Sequence, residues 1–197
     1  MACLILSQLG DPTEITAKAM DINAACSGYL YALQSIYDFI QSQPDAKVML
    51  ITSEVLSPLL DLTDFNTSII FGDAATATIF YGEKAFTGKS IQALVKRPTL
   101  SSRPEDGQIL SVPLQGNDEK IHMNGKKVFS EAVKKMTFML EKCCIQEKIH
   151  VHDLDLIVPH QANQRIIDAI QKRIDIPENK VFSNIKHYGN TSSNTIP

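Results

Sequence analysis

The chain has 197 residues, 44% of them hydrophobic and 21% charged, with a formal net charge of -3. That is enough apolar residue for a buried core in one or two ordinary globular domains, and no basic field for nucleic acid. No apolar run approaches the ~20 residues needed to span a bilayer, so a membrane span is not expected.

Four cysteines, Cys3, Cys26, Cys143 and Cys144, with no secretory apolar segment at the N-terminus, point to a reduced, cytoplasmic protein rather than a disulfide scaffold. Cys143 and Cys144 are adjacent and lack C-x-x-C spacing, so they read as packing residues, as does Cys3.

Elements alternate in type along the chain, the pattern of an α/β architecture. "KAMDINA", Lys18 to Ala24, predicts a buried strand. A helix is expected next, from the spacing of Leu30, Leu33, Ile36, Tyr37 and Ile40. "KVMLITSEV" predicts a strand, and "TSIIFGDAATATIFYG" two more around a Gly72-Asp73 turn. Residues 83–90 read as a seam, dividing the chain into parts 1–86 and 87–197. Beyond it, "SIQALVKR" predicts a strand, and the turn-rich residues 97–120 an exposed excursion.

Val128, Phe129, Val133, Met136, Met139 and Leu140 then mark one apolar face of a long helix. "DLDLIVPH" predicts a strand ending at His160, "NQRIIDAIQKRI" a helix burying Ile166, Ile167, Ile170 and Ile174, and "KVFSNI" a strand before the turn "KHYGN".

Cys26 and His160 therefore fall beyond the carboxyl ends of predicted strands, where open α/β sheets keep their sites. A helix N-terminus after Cys26 favours thiolate, and Gly28 with the flanking alanines leaves the sulfur approachable. Alone, Cys26 reads better as a buried structural cysteine, while His160 can be a turn histidine and Asn190 in "HYGNTS" a turn asparagine. Together, in the order Cys, His, Asn, they equip a nucleophile with partners. A papain-like protease shares that order, but "AACSG" lacks its C-G-[SA]-C-[WY] signature and the chain has no tryptophan.

"DINAACSGYLYAL", "IIFGDAATA", "HMNGKKVF", "VPHQANQRIIDAI" and "YGNTSSNTIP" resemble, in this order, the successive motifs of the β-ketoacyl-[acyl-carrier-protein] synthase III family. The resemblance implies a thiolase-like layered αβαβα fold with mixed sheets, incomplete at both termini. Residues 1–86 would be the C-terminal part of the first half, with the nucleophile, and 87–197 most of the second, with His160 and Asn190. It implies that Cys26 takes an acyl group from acyl-CoA and condenses it with malonyl-acyl carrier protein in a decarboxylative Claisen reaction that initiates fatty acid synthesis. His160 and Asn190 would stabilise the oxyanion.

By the same resemblance Phe71 lines the acyl pocket, Gly125 lets the phosphopantetheine arm pass, and Asn163 positions that arm or His160. Arg165, Lys172 and Arg173 would dock the acidic carrier protein. No permanently bound cofactor and no metal are implied, and a homodimer is. Phe65 stands where the family carries an arginine against the CoA nucleotide, and Ala74 and Thr76 where glycines are common. A catalytically incomplete fragment or interaction module of that fold, and a related CoA-dependent acyltransferase with another acceptor, are the alternative expectations.

Overall fold

The computed structural model describes residues 1–11, 13–88, 93–113 and 118–197. The helices are α1 (Ala2–Leu6), α2 (Gly28–Ser42), α3 (Gly125–Glu147), α4 (Gln164–Ile174) and the short α5 (Ile185–Tyr188). The strands are β1 (Lys47–Glu54), β2 (Ala74–Tyr81), β3 (Leu110–Ser111) and β4 (His122–Met123). β1 and β2 pair antiparallel from Lys47 opposite Tyr81 to Glu54 opposite Ala74, and β3 pairs with β4. Two isolated parallel bridges, Phe71 with Asn190 and Ile157 with Val181, complete a mixed α/β arrangement.

One core forms where α4 lies on α3. Ile166, Ile170, Ile174 and Ile176 are buried there against Ala132, Val133, Met136, Leu140, Val151, Ile157, Ala162 and Val181. The isoleucines recur at helical spacing, so one face of α4 is continuous apolar surface, and Ile167 is fully enclosed beside it. Each end of α4 is terminated locally. Asn163 Oδ1 accepts from the Arg165 N–H at 2.9 Å, an N-cap, and Asp175 turns left-handed at the other end.

The helices at 28–42, 125–147 and 164–174 and the strand at 47–54 stand where the sequence predicts them. Several predicted strands do not form. Residues 18–24 make no ladder, and Met20 and Ile22 are exposed. Only the second strand of "TSIIFGDAATATIFYG" exists, as β2; residues 65–70 are turns, and Phe71 makes a single bridge. The expected strands at 153–160 and 180–185 reduce to the Ile157–Val181 bridge, with Ile157 N–H donating to Lys180 O and Phe182 N–H to Ile157 O, both at 2.8 Å. Apolar sequence makes a strand only where a second segment lies alongside to complete the hydrogen bonds, and these segments meet one neighbour or none.

The strand predicted at 90–97 lies partly outside the described residues, as do parts of the seam at 83–90 and of the excursion at 97–120; residues 93–97 form no strand. Cys144 is buried and Cys143 half-buried in α3, as packing residues would be, whereas Cys3 is exposed. Among the described residues no helix is long and apolar enough to cross a membrane.

Candidate active site

Cys26 occupies a 3-10 turn, Ala25–Ser27, that runs straight into α2. The turn is forced: Ala25 has φ +46, and its N–H donates to Asn23 Oδ1 at 3.2 Å. Four non-glycine residues have positive φ among those described. Lys148 and Asp175 are ordinary helix ends, but Ala25 directly precedes Cys26 and Ser192 opens the turn that packs on it. Such backbone costs on the order of 1–3 kcal/mol per residue and persists where the surroundings over-determine it.

What over-determines it is the run Asn190–Thr195, which packs on the Cys26 turn and on β1. All six of these residues are polar and buried. Several of their polar groups find partners from distant sequence. Thr52 Oγ1 donates to Asn194 Oδ1 at 2.6 Å, and Asn194 Nδ2 donates to Ala74 O at 3.0 Å. Thr76 Oγ1 lies 2.5 Å from Thr52 Oγ1 and, since the Thr52 proton is committed to Asn194, must donate to it. Thr76, at a position where the resembled family commonly has glycine, thus extends the network that seats this run.

Two glycines allow the approach. A Cβ on Gly72 would stand 2.4 Å from Tyr188 O, and Gly189 has φ +69 with Ile70 O 2.8 Å from where its Cβ would be. The segments 70–72 and 188–190 therefore lie side by side: Asn190 N–H donates to Ile70 O at 2.8 Å and Gly72 N–H to Asn190 O at 3.0 Å.

The run Asn190–Thr195 links the three predicted residues. Asn190 Oδ1 accepts the Ser192 N–H at 2.9 Å, which leaves its Nδ2 donors without a partner among the described residues. Ser192 belongs to the turn that packs on the Cys26 turn, and its hydroxyl donates to Glu54 Oε1. Thr195 Oγ1 lies 2.5 Å from His160 Nδ1. His160 is held from its own side by Gln161, which is fully buried; its Nε2 donates to Pro159 O at 2.8 Å and its Oε1 accepts the Asn184 N–H at 3.1 Å.

The electrostatics correct one expectation. Burial pushes the Cys26 thiol pKa up, the Ser192 hydroxyl opposes this, and the Glu54 carboxylate raises it further. Desolvation and a neighbouring anion outweigh the helix N-terminus, so Cys26 rests as a thiol at neutral pH. Glu54 Oε1 in turn accepts from Ser193 Oγ at 2.6 Å and Ser192 Oγ at 3.2 Å. Burial lowers the His160 pKa from 6.5 to about 4, so the ring is neutral at neutral pH. A neutral imidazole and an uncommitted amide, held by the same run that packs on the Cys26 turn, can act as hydrogen-bond donors to a developing oxyanion.

The remaining predicted residues lie apart from these three or act otherwise. Phe71 is half-buried and adjoins the site through its bridge to Asn190. Asn163 caps α4. Gly125 is the exposed first residue of α3 and has room for a Cβ, 3.7 Å from Met123 Cε. A Cβ on Gly28 would make an ordinary 3.5 Å contact with Ser193 Cβ, so this glycine faces protein rather than an open approach. Arg165, Lys172 and Arg173 are exposed on α4, the last two in its final turn, where cations suit the dipole. Sequence reasoning missed Glu54, Ser192, Thr195 and Asn194. A lone acid closing the apolar strand "KVMLITSE" and the hydroxyl-and-amide string "TSSNT" were the available signals.

Comparison with known proteins places this arrangement. The model of 3-oxoacyl-[acyl-carrier-protein] synthase III matches residues 20–94, and that of the C-terminal part of the same synthase matches residues 144–197. The structure superposes on the 3-oxoacyl-[acyl-carrier-protein] synthase III of Aquifex aeolicus with a TM-score of 0.83 at 32% identity, covering 100% of this chain and 60% of that one. The Pseudomonas aeruginosa enzyme of the same name gives 0.84 at 28% identity, covering 99% of this chain and 59% of that one. The fold is the thiolase-like layered α/β fold of the condensing enzymes. By sequence the chain is 38% identical to the β-ketoacyl-[acyl-carrier-protein] synthase III of Oleidesulfovibrio alaskensis, over 100% of this chain and 61% of the relative. The chain belongs to the β-ketoacyl-[acyl-carrier-protein] synthase III family. It spans about 60% of the length of the curated relatives it matches.

Proposed function

We propose that this chain carries the acyl-transfer and condensation centre of a β-ketoacyl-[acyl-carrier-protein] synthase III, with Cys26 as nucleophile and His160 and Asn190 as oxyanion donors. The observation that carries this reading is the buried run Asn190–Thr195, which packs on the Cys26 turn, reaches His160 through the Thr195 hydroxyl and contains Asn190 itself.

In the first half-reaction the Cys26 sulfur attacks the thioester carbonyl of acyl-CoA. A new S–C bond forms, the C–S bond to CoA breaks, and the thiol proton ends on the departing CoA sulfur. Because Cys26 rests as a thiol, proton loss accompanies attack rather than preceding it. In the second, malonyl-carrier protein loses carbon dioxide, and the electron pair of the broken C–C bond spreads onto the thioester oxygen. Neutral donors are suited to that charge: His160 and the Asn190 Nδ2 group stabilise it without leaving a cation behind, each donor typically contributing ~3 kcal/mol. The carbanion then attacks the acyl-Cys26 carbonyl, and the cysteine sulfur departs.

The acyl chain would run past Phe71, and the phosphopantetheine arm past Gly125 and Asn163. The exposed cations Arg165, Lys172 and Arg173 suit an acidic carrier protein, by complementary charge. Residues 1–86 and 87–197 act as the two halves of the fold, in a cytoplasmic homodimer that uses acyl-CoA as substrate and no resident cofactor. The exposed side chains of Met49, Ile79 and Tyr81 on the β1–β2 ribbon favour a second reading, a fragment that works only when that apolar face is covered.

Intact-protein mass spectrometry after exposure to acetyl-CoA and longer acyl-CoAs tests the proposal. The expected result is one acyl adduct, located on Cys26 by peptide mapping and absent from Cys26→Ala. A chain that remains unmodified, or is acylated equally at Cys3, sinks the nucleophile assignment.

A further inference from the structure

We propose that Thr195 fixes the tautomer of His160, its hydroxyl donating to Nδ1 so that the neutral ring carries its proton on Nε2. This deepens the oxyanion assignment above and rests on it.

The argument is one of proton counting. The Thr195 hydroxyl has one hydrogen and two acceptors in reach, His160 Nδ1 at 2.5 Å and Ser192 O at 3.0 Å. Were it to donate to Ser192 O, the short contact would have to be an N–H donating from Nδ1 to Oγ1, for which separations of about 2.7–3.2 Å are usual. Hydroxyl donors run shorter: bonds from a hydroxyl to oxygen begin at about 2.5 Å and lie most often near 2.7–2.8 Å. The short contact suits the hydroxyl as donor, and 3.0 Å to Ser192 O is long for one. Nδ1 is then an acceptor, and the single proton of the neutral ring resides on Nε2.

The choice matters chemically. With the proton on Nε2 the ring offers a donor to the thioester oxygen. With it on Nδ1 the ring would offer a lone pair to a growing negative charge. Thr195 is therefore a positioning residue: it acts through His160.

Nitrogen-15 histidine labelling of the full chain, with two-bond proton–nitrogen correlation near neutral pH, reads the tautomer directly; His160→Gln assigns the signal. Wild type should show the Nε2–H pattern. Thr195→Val should shift His160 toward the Nδ1–H form, while Thr195→Ser keeps the wild-type pattern. Decarboxylation of a malonyl thioester should fall at least about tenfold in Thr195→Val, less than the ~10²–10³ lost with an oxyanion donor itself. Acylation of Cys26 should be retained. An Nδ1–H pattern in wild type, or an unchanged pattern in Thr195→Val, overturns the proposal, and the wild-type and Thr195→Ser spectra decide it even if Thr195→Val fails to fold. An Nε2–H wild type that decarboxylates nothing supports the tautomer assignment while sinking the proposed reaction.

Discussion

The α3–α4 interface and the run Asn190–Thr195 are both buried, yet they are held by opposite means. The first is a row of isoleucines against apolar side chains, held by burial rather than by hydrogen bonds. The second is six polar residues in sequence, each at most 8% exposed, and seated by hydrogen bonds to Thr52, Glu54, Ala74 and Ile70. An apolar interface is tolerant because its driving force is non-directional. A buried polar network is not, because each missing partner leaves a group desolvated and unpaired. The molecule thus separates a scaffold that supplies stability from a site whose geometry is specified bond by bond.

That contrast can be broken from either side. The largest effect is expected in the scaffold. Ile170→Ala should cost about 2–5 kcal/mol in urea unfolding, through lost burial and the cavity left behind. The alkylation rate of Cys26 in the folded protein should not change; a changed rate would mean that the two regions are coupled.

A comparable effect should come from acid. His160 has its folded pKa lowered to about 4 against 6.5 unfolded, so the unfolded chain binds the proton more tightly. Stability from this residue is fully present above about pH 6.5 and is lost as pH falls through about 4, ~3 kcal/mol in all. Urea midpoints measured across that window should fall steeply in wild type and less in His160→Gln. Parallel curves for the two would show that His160 is not desolvated.

The smallest effect probes the charge that acts on Cys26. Glu54 adds to what burial does in raising the Cys26 pKa, so Glu54→Gln should speed iodoacetamide labelling of Cys26 at mildly alkaline pH by a factor of a few. Labelling is followed by peptide mapping so that exposed Cys3 serves as an internal standard. No acceleration would argue that the carboxylate is screened from the sulfur.

Much of this was legible in the residues. Helix periodicity located α2, α3 and α4 and named the four isoleucines that α4 buries, because a helix carries its own hydrogen bonds and its apolar face is written at fixed spacing. The motifs likewise singled out Cys26, His160 and Asn190. Strands were over-predicted at 18–24, 153–160 and 180–185, since a strand's hydrogen bonds belong to a neighbour that local sequence does not name. The protonation state of Cys26 was misread for a related reason: the helix N-terminus is local, whereas the burial and the Glu54 charge come from elsewhere in the chain.

By itself, then, the sequence determined which residues were candidates for chemistry and which helices pack, both being properties of short stretches. Only the tertiary structure decided that "SSNT" is the clamp around them, that Thr52 and Thr76 seat it, and that Cys26 stays a thiol beside a neutral His160. Hydrogen bonds and desolvation act between residues more than a hundred positions apart, such as Thr52 and Asn194, and proximity of that kind exists only once the chain has folded.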